Sequence, residues 1–305
     1  MNNSAHYFLL DVFTGSRFGG NQLAIFPEGQ FIEESIMKKI ARELQLSETV
    51  FILPPVDKNN HFKMRIFTPQ MELPTAGHPT IGASFFMVRH IDFDEEETQL
   101  DISIEQRIGL IKSSVKLDRG VPLFSSMIQP LPEFVKTLDD RKSFADMLSL
   151  KEDSLSETPI EMISCGIPFT FIQLRSLACI KKVKFNVNLW GDLNEKYNTS
   201  FIYIFTTETV NEDSDVHGRM FAPEAGIMED PATGSANGPL GCFLLKNKVM
   251  EATNGQLNII SEQGFEMGRP SIIHINITGS AEKITEVKIS GESVLVGKGQ
   301  IFLDR

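Results

Sequence analysis

Three short stretches of this 305-residue sequence could move a proton. Ser47-Glu48-Thr49 places a lone carboxylate between a helix-like and a strand-like segment. Partial burial there would raise its pKa toward the working pH and make it a general acid/base. A surface glutamate at a helix C-terminus is the plainer reading of the same residue. The turns Gly77-His78-Pro79-Thr80 and Asp230-Pro231-Ala232-Thr233-Gly234-Ser235 each open into an apolar helix-like run. Unpaired N–H groups and the positive end of the helix dipole point out of such turns and favour anions. Facing each other across a cleft between two domains, Gly77, His78, Gly234 and Ser235 would hold a substrate carboxylate without any Arg or Lys. Ordinary capped helices would look the same, with Thr80 and Ser235 as N-caps and glycines easing tight turns, so both readings stand at this point.

Other chemistries find little support. The six histidines show no HxxxH or HExxH spacing that would set two imidazoles on one helical face, so no metal site is expected. The formal net charge of -11 repels phosphate backbones and anionic lipid, and the only basic cluster, Lys181, Lys182 and Lys184, reads as a solvated loop or strand edge, so neither nucleic acid nor membrane is an expected partner. No basic leader and no apolar run of membrane-spanning length is present, which reads as cytoplasmic. Three cysteines, Cys165, Cys179 and Cys242, form no CxxC pair and read as reduced packing residues. The adjacent glycines of SRFGGNQ are not spaced as a dinucleotide-binding turn.

The segments that would position these residues alternate in period. YFLLDVF (7–13) and QLAIF (22–26) read as strands, and residues 33–46 repeat Ile36, Ile40 and Leu44 at helical spacing. Strands follow at 49–55 and 62–67, then a helix over 79–91 that is apolar nearly all round, as a helix buried on every side must be. The acidic run 92–98 reads as a solvated connection, and 100–104 with 107–117 as a hairpin. Near 118–150 the pattern weakens under Pro122, Pro130 and Pro132, with a polar helix around 140–149, which puts the crossing between domains at about 118–125. Strands at 160–165, 168–174, 201–206 and 218–223 and an apolar helix at 235–247 then repeat the first half. Arg65-x-Phe67-x-Pro69 recurs as Arg219-x-Phe221-x-Pro223, each followed by an acidic stretch and a small-residue turn, so a duplicated two-domain architecture is expected. The length suits two domains, here 1–120 with 288–305, and 121–287.

DVFTGSRFGGNQLAIF (11–26), LSETVFI (46–52), RIFTPQMELPTAGHPTIGAS (65–84), GIPFTF (166–171) and RMFAPEAGIMEDPATGSANG (219–238) together resemble the PhzF family of phenazine-biosynthesis-like proteins over nearly the whole chain. The resemblance implies an α+β, diaminopimelate epimerase-like fold: two pseudo-symmetric domains, each a β-barrel-like sheet around a central helix, with the active site in the cleft and a homodimer. It also implies Glu48 as the catalytic acid/base, with His78, Asp230 and Ser235 as substrate-binding or proton-relay residues. Gly77 and Gly234 supply backbone donors, and Asn21 of the GN motif resembles a substrate-orienting amide. Gln22 departs from the family, which commonly has proline there.

Diaminopimelate epimerases and proline racemases of this fold use one thiol at each helix-opening turn. Here those turns carry Ala76 and Asp230-Pro231, and all three cysteines lie elsewhere. Proton movement by one carboxylate between nearby carbons is therefore favoured over two-thiol racemisation. The expected activity is a cofactor-independent isomerisation of a small carboxylate-bearing metabolite, with no metal. An amino-acid epimerase or racemase, or a non-catalytic metabolite-binding protein on the same scaffold, are the alternatives.

Overall fold

The computed structural model describes residues 4–94 and 96–303. Glu95 of the acidic connection lies outside them, as do the outermost residues of the expected first domain. The elements in chain order begin with β1 (Ser4–Val12), β2 (Asn21–Phe26), α1 (Glu34–Leu44), β3 (Glu48–Leu53), β4 (Phe62–Phe67), β5 (Glu72–Leu73) and α2 (Gly77–Met87). They continue with β6 (Gln99–Gln106), β7 (Gly109–Asp118), β8 (Val121–Gln129), β9 (Glu133–Leu138), α3 (Arg141–Met147), β10 (Ile160–Ser164) and β11 (Pro168–Gln173). The remainder are α4 (Leu177–Lys182), α5 (Val187–Tyr197), β12 (Ile202–Thr206), β13 (Val216–Ala222), β14 (Ile227–Asp230), α6 (Gly234–Lys246), β15 (Gln256–Gln263), β16 (Ser271–Gly279), β17 (Ile284–Gly291) and β18 (Ser293–Phe302). Backbone contacts divide the chain into two compact units, Met1–Ile128 with Ile289–Arg305, and Gln129–Lys288. Among the described residues no helix is long and apolar enough to cross a membrane.

In the first unit β18, β1, β2, β3, β4, β6, β7 and β8 pair in succession, antiparallel except for β2–β3 and β4–β6. A parallel pair needs a crossover, and α1 and α2 supply the two. α2 packs against β1, β2, β3, β7 and β18, strands from both ends of that succession, so the sheet curls round the helix. This is why the helix is apolar on every side: nine of its eleven residues are buried. Backbone and sheet approach closely there; a Cβ on Gly82 would stand 2.6 Å from Leu23 and 2.8 Å from Val12. α1 is the opposite case, burying one stripe, Met37, Ile40 and Ala41, over Ala24, Phe26, Phe51 and Phe67, and ending where Gln45 turns left-handed.

The second unit repeats the order. β9, β10, β11, β12, β13, β15 and β16 pair in succession, parallel only at β11–β12 and β13–β15. α6 packs against β10, β11, β15 and β16 and buries eleven of its thirteen residues, Phe243 completely. Truncating Phe243 to Ala would cost about 3–5 kcal/mol in transfer and cavity terms.

The R-x-F-x-P repeat has a physical reason. Period two puts Arg65 and Phe67 on one face of β4, the guanidinium 5.1 Å from the ring centroid and donating from Nε and Nη2 to Glu72 of β5 at 2.7 and 2.8 Å. Arg219 lies 5.2 Å from the Phe221 ring and donates twice to Glu229 of β14, at 2.8 Å each. The acidic stretch after each copy is the partner of its arginine.

Two regions differ from the expectation. Residues 121–138, where prolines weaken the pattern, form β8 and β9. Pro122 sits in β8 beside the register shift at Lys116/Leu117, a bulge where a missing N–H costs little. Lys181 and Lys182 lie not in a loop or strand edge but in the last turn of α4, where cations meet the negative end of the helix dipole. α4 and α5, capped by the side chains of Ser176 and Asn186, make the β11–β12 crossover.

Candidate functional site

In the first unit Asn21 opens β2, Glu48 opens β3 and His78 is the second residue of α2. The parallel register Leu23↔Glu48 sets two of these starts side by side. His78 Nε2 lies 3.2 Å from Glu48 Oε2, and its Nδ1 lies 3.2 Å from Asn21 Nδ2. All three side chains are buried: Asn21 1 %, His78 3 % and Glu48 9 % exposed. The His78–Glu48 spacing is that of an ion pair, yet burial favours the neutral imidazole. Burial pushes it down to about 3, outweighing a hydrogen bond to the Gln22 backbone that works the other way. The arrangement is a carboxyl group beside a neutral ring that can carry a proton on either nitrogen.

The turn that presents His78 is held from beneath by Gln106, the last residue of β6. Thr75 Oγ1 donates to Gln106 Oε1 at 2.7 Å, Gln106 Nε2 donates to Thr80 Oγ1 at 2.8 Å, and Thr80 Oγ1 donates to the Ala76 carbonyl at 2.6 Å. Thr80 is thus bonded back along the helix and is not its N-cap. The N-cap residue of α2 is Ala76, which has no side-chain acceptor to give, so the N–H groups at Gly77 and His78 meet no capping side chain.

In the second unit Asp230 ends β14, 3 % exposed, and its Oδ2 accepts a 2.6 Å hydrogen bond from Thr233 Oγ1. Gly234 and Ser235 are the first two residues of α6. The N-cap residue here is Thr233, not Ser235, and its hydroxyl is turned to Asp230, so this helix end also lacks a capping side chain. Gln263, the last residue of β15, holds the turn: its Nε2 donates to the Asp230 carbonyl at 2.7 Å and its Oε1 accepts from Thr233 N at 3.1 Å.

The structure therefore brings Asn21, Glu48, His78 and Gly77 together in one unit, and Asp230, Gly234 and Ser235 in the other. Cys165 and Cys242 are buried and Cys179 half-buried on α4, none of them in the turns that open α2 and α6. Among the described residues no group of three or more His, Cys, Asp or Glu is arranged to hold a metal ion.

Sequence reasoning missed Gln106 and Gln263. A signal was present: Glu105-Gln106 recurs as Glu262-Gln263, each at the end of the strand parallel to the R-x-F strand. Both glutamates tie down a loop, Glu105 accepting from the backbone N–H groups of Val56 and Asp57, and Glu262 from those of Val210 and Asn211.

Comparison with known proteins bears on the family and the fold. The sequence profile of the PhzC-PhzF family, phenazine biosynthesis-like protein, matches residues 10–299. An uncharacterized isomerase from Mesorhizobium japonicum is 32 % identical, over 98 % of this chain and 99 % of its own. The trans-2,3-dihydro-3-hydroxyanthranilate isomerase of Pseudomonas chlororaphis is 31 % identical over the same shares, 98 % and 99 %. The crystal structure of a PhzF-family phenazine biosynthesis protein from Bacillus anthracis superposes with a TM-score of 0.87 at 25 % identity, covering 98 % of this chain and 99 % of that one.

Proposed function

Because the chain belongs to the PhzC-PhzF, phenazine biosynthesis-like family and is an isomerase, we propose that it moves a proton between carbons of a small carboxylate-bearing metabolite without a cofactor, Glu48 acting as the general acid/base. The observation that supports this reading best is the buried Glu48 carboxyl 3.2 Å from a His78 ring that burial keeps neutral. A carboxyl group held out of bulk water is a better base toward carbon than a solvated one, and positioned acid–base groups of this kind contribute about 10²–10⁴-fold to rate.

In this reading Glu48 removes a C–H proton from a carbon activated by neighbouring unsaturation, and the same carboxyl, or the His78 ring beside it, returns a proton to another carbon of the same system. No net oxidation or reduction occurs. Asn21, 3.2 Å from Nδ1, keeps the His78 ring from rotating. The substrate's carboxylate takes its hydrogen bonds from backbone N–H groups that no side chain caps, those opening α2 at Gly77 and His78; the N–H groups opening α6 at Gly234 and Ser235 are uncapped in the same way and suit an anion equally. Asp230 serves as a second polar anchor or proton carrier.

The relatives' name suggests the first compound to offer, trans-2,3-dihydro-3-hydroxyanthranilate, followed by other ring carboxylic acids. The test is proton NMR in deuterated water. Deuterium should enter a carbon-bound position with the wild-type protein and not with Glu48→Gln, which keeps the shape but cannot take the proton. Binding of these acids with no exchange by either protein would overturn the catalytic reading.

A further inference from the structure

The buried glutamine beneath each helix-opening turn has a role that goes beyond packing. Gln263 is fully buried at the end of β15, between Gly218 of β13 and Ser271 of β16. Its amide can adopt only one orientation. Oε1 faces Thr233 N, which can only donate, and Nε2 faces the Asp230 carbonyl, which can only accept. The same Nε2 lies 3.1 Å from Thr233 Oγ1 and donates to it. With that lone pair taken, the hydroxyl proton of Thr233 is directed to Asp230 Oδ2, 2.6 Å away.

The surroundings leave the amide no freedom. The buried Tyr203 hydroxyl stands 3.4 Å from Gln263 Oε1, and only glycine fits at 218, where a Cβ would come within 2.2 Å of that hydroxyl. Ser271 Oγ donates to the Pro231 carbonyl at 2.9 Å, and at Gly264, φ +80, a Cβ would come within 2.5 Å of the same carbonyl oxygen.

We infer that Gln263 is a positioning residue for Asp230: acting through the Thr233 hydroxyl, it fixes the plane of the Asp230 carboxyl and keeps one of its oxygens a hydrogen-bond acceptor. The role in catalysis rests on the reading of Asp230 given above. Gln106 holds its turn in the first unit through Thr80, which stands where the second unit has Asn237, and there the threonine hydroxyl ends on the Ala76 carbonyl, which cannot titrate. The two glutamines sit at the same place in their sheets, and only one of them reaches a titratable group.

That difference supplies the test, and it needs no substrate. The full chain is labelled with ¹³C at the Asp side-chain carboxyl, the Asp230 signal is assigned with Asp230→Asn, and its titration is followed by NMR. Removing a donor from a carboxylate disfavours its ionised form, so Thr233→Val should weaken Asp230 as an acid about tenfold, and Gln263→Leu, which leaves the hydroxyl but not its orientation, by a smaller factor of about three. Thr233→Ser, which keeps the hydroxyl, should titrate as wild type, and so should Gln106→Leu. If Gln263→Leu does not fold, Gln263→Met, which keeps the length of the side chain and removes its donor, carries the test. A wild-type titration in Gln263→Leu or in Thr233→Val, or an equal shift in Gln106→Leu, overturns the inference. Loss of the catalytic reading would show instead as turnover retained by Glu48→Gln with these titrations unchanged.

Discussion

Where the first unit carries Glu48 the second carries Phe201, and where the second carries Asp230 the first carries Leu73. The registers establish both equivalences. Thr49 pairs with Phe67 as Ile202 pairs with Phe221, which equates Glu48 with Phe201, one residue earlier; Ile66 pairs with Leu73 as Met220 pairs with Asp230. The pairing order, the arginine on its phenylalanine and the glutamine under the turn are common to both units. The groups that could hold a proton are not. A duplicated scaffold needs its frame twice, but a second carboxylate at each site would be a buried charge without a partner, costing several kcal/mol. The asymmetry separates the residues that make the fold from those proposed to do the chemistry.

Removing the unmatched groups should have the largest effect. Glu48→Gln is expected to lower turnover by about 10²–10⁴-fold with the melting temperature little changed. Asp230→Asn should lose less, on the order of 10–10³-fold, as an anchor or second carrier would. If both serve one reaction, the double variant will be little slower than Glu48→Gln alone, because groups acting as a unit are strongly non-additive. The converse swap tests the frame: Leu73→Asp, which puts a charge at a site only 9 % exposed, should destabilise by a few kcal/mol in urea unfolding and add no activity.

The matched arginines should differ in degree only. Arg219 also donates to the Ile180 and Val183 carbonyls, at 3.1 and 3.4 Å, whereas the third partner of Arg65 is the exposed Glu34. Lysine cannot make the bidentate contact. Arg219→Lys should therefore cost about 1–3 kcal/mol and Arg65→Lys roughly half as much, read as shifts in urea midpoint.

Much of this frame was legible in the sequence. The apolar helices over 79–91 and 235–247 and the recurrence of R-x-F-x-P announced a repeat, because enclosure on all sides and a period-two arginine–phenylalanine stack leave direct marks on residue order. The meeting of Glu48, His78 and Asn21 was less direct, since three strand and helix starts far apart in sequence carry no joint pattern, and the family motifs supplied the link. β8 was hidden by Pro122, α4 by its six residues, α5 by burying Leu193 alone, and the glutamines by being single residues whose meaning lies in what they touch. Thr80 and Ser235 as N-caps were misplaced because a hydroxyl near a helix start can equally bond back along the helix, as Thr80 does.

The smallest predicted effects are on stability against pH, and the two buried histidines should give opposite signs. For His78, burial lowers the folded value from 6.5 to about 3, so its contribution is present above 6.5 and is lost as pH falls from 6.5 toward 3. His217 is equally enclosed but lies 2.6 Å from Glu262 and 3.1 Å from Glu266. Burial pushes it down, yet its hydrogen bonds to Glu266 and Glu262, with their charges, outweigh that and raise it above 6.5. Its contribution is present below 6.5 and is lost as pH rises through the folded value. Urea unfolding across pH should show a flatter acid side in His78→Gln and a flatter slope above 6.5 in His217→Gln.

The most direct test of Glu48 as the proton-moving group is the rate at which solvent deuterium enters a substrate carbon, compared among wild type, Glu48→Asp and Glu48→Gln. The account predicts slowed but measurable exchange in Glu48→Asp, which keeps a carboxylate set back from the substrate, and none above background in Glu48→Gln. Exchange by Glu48→Gln at or near the wild-type rate would contradict it.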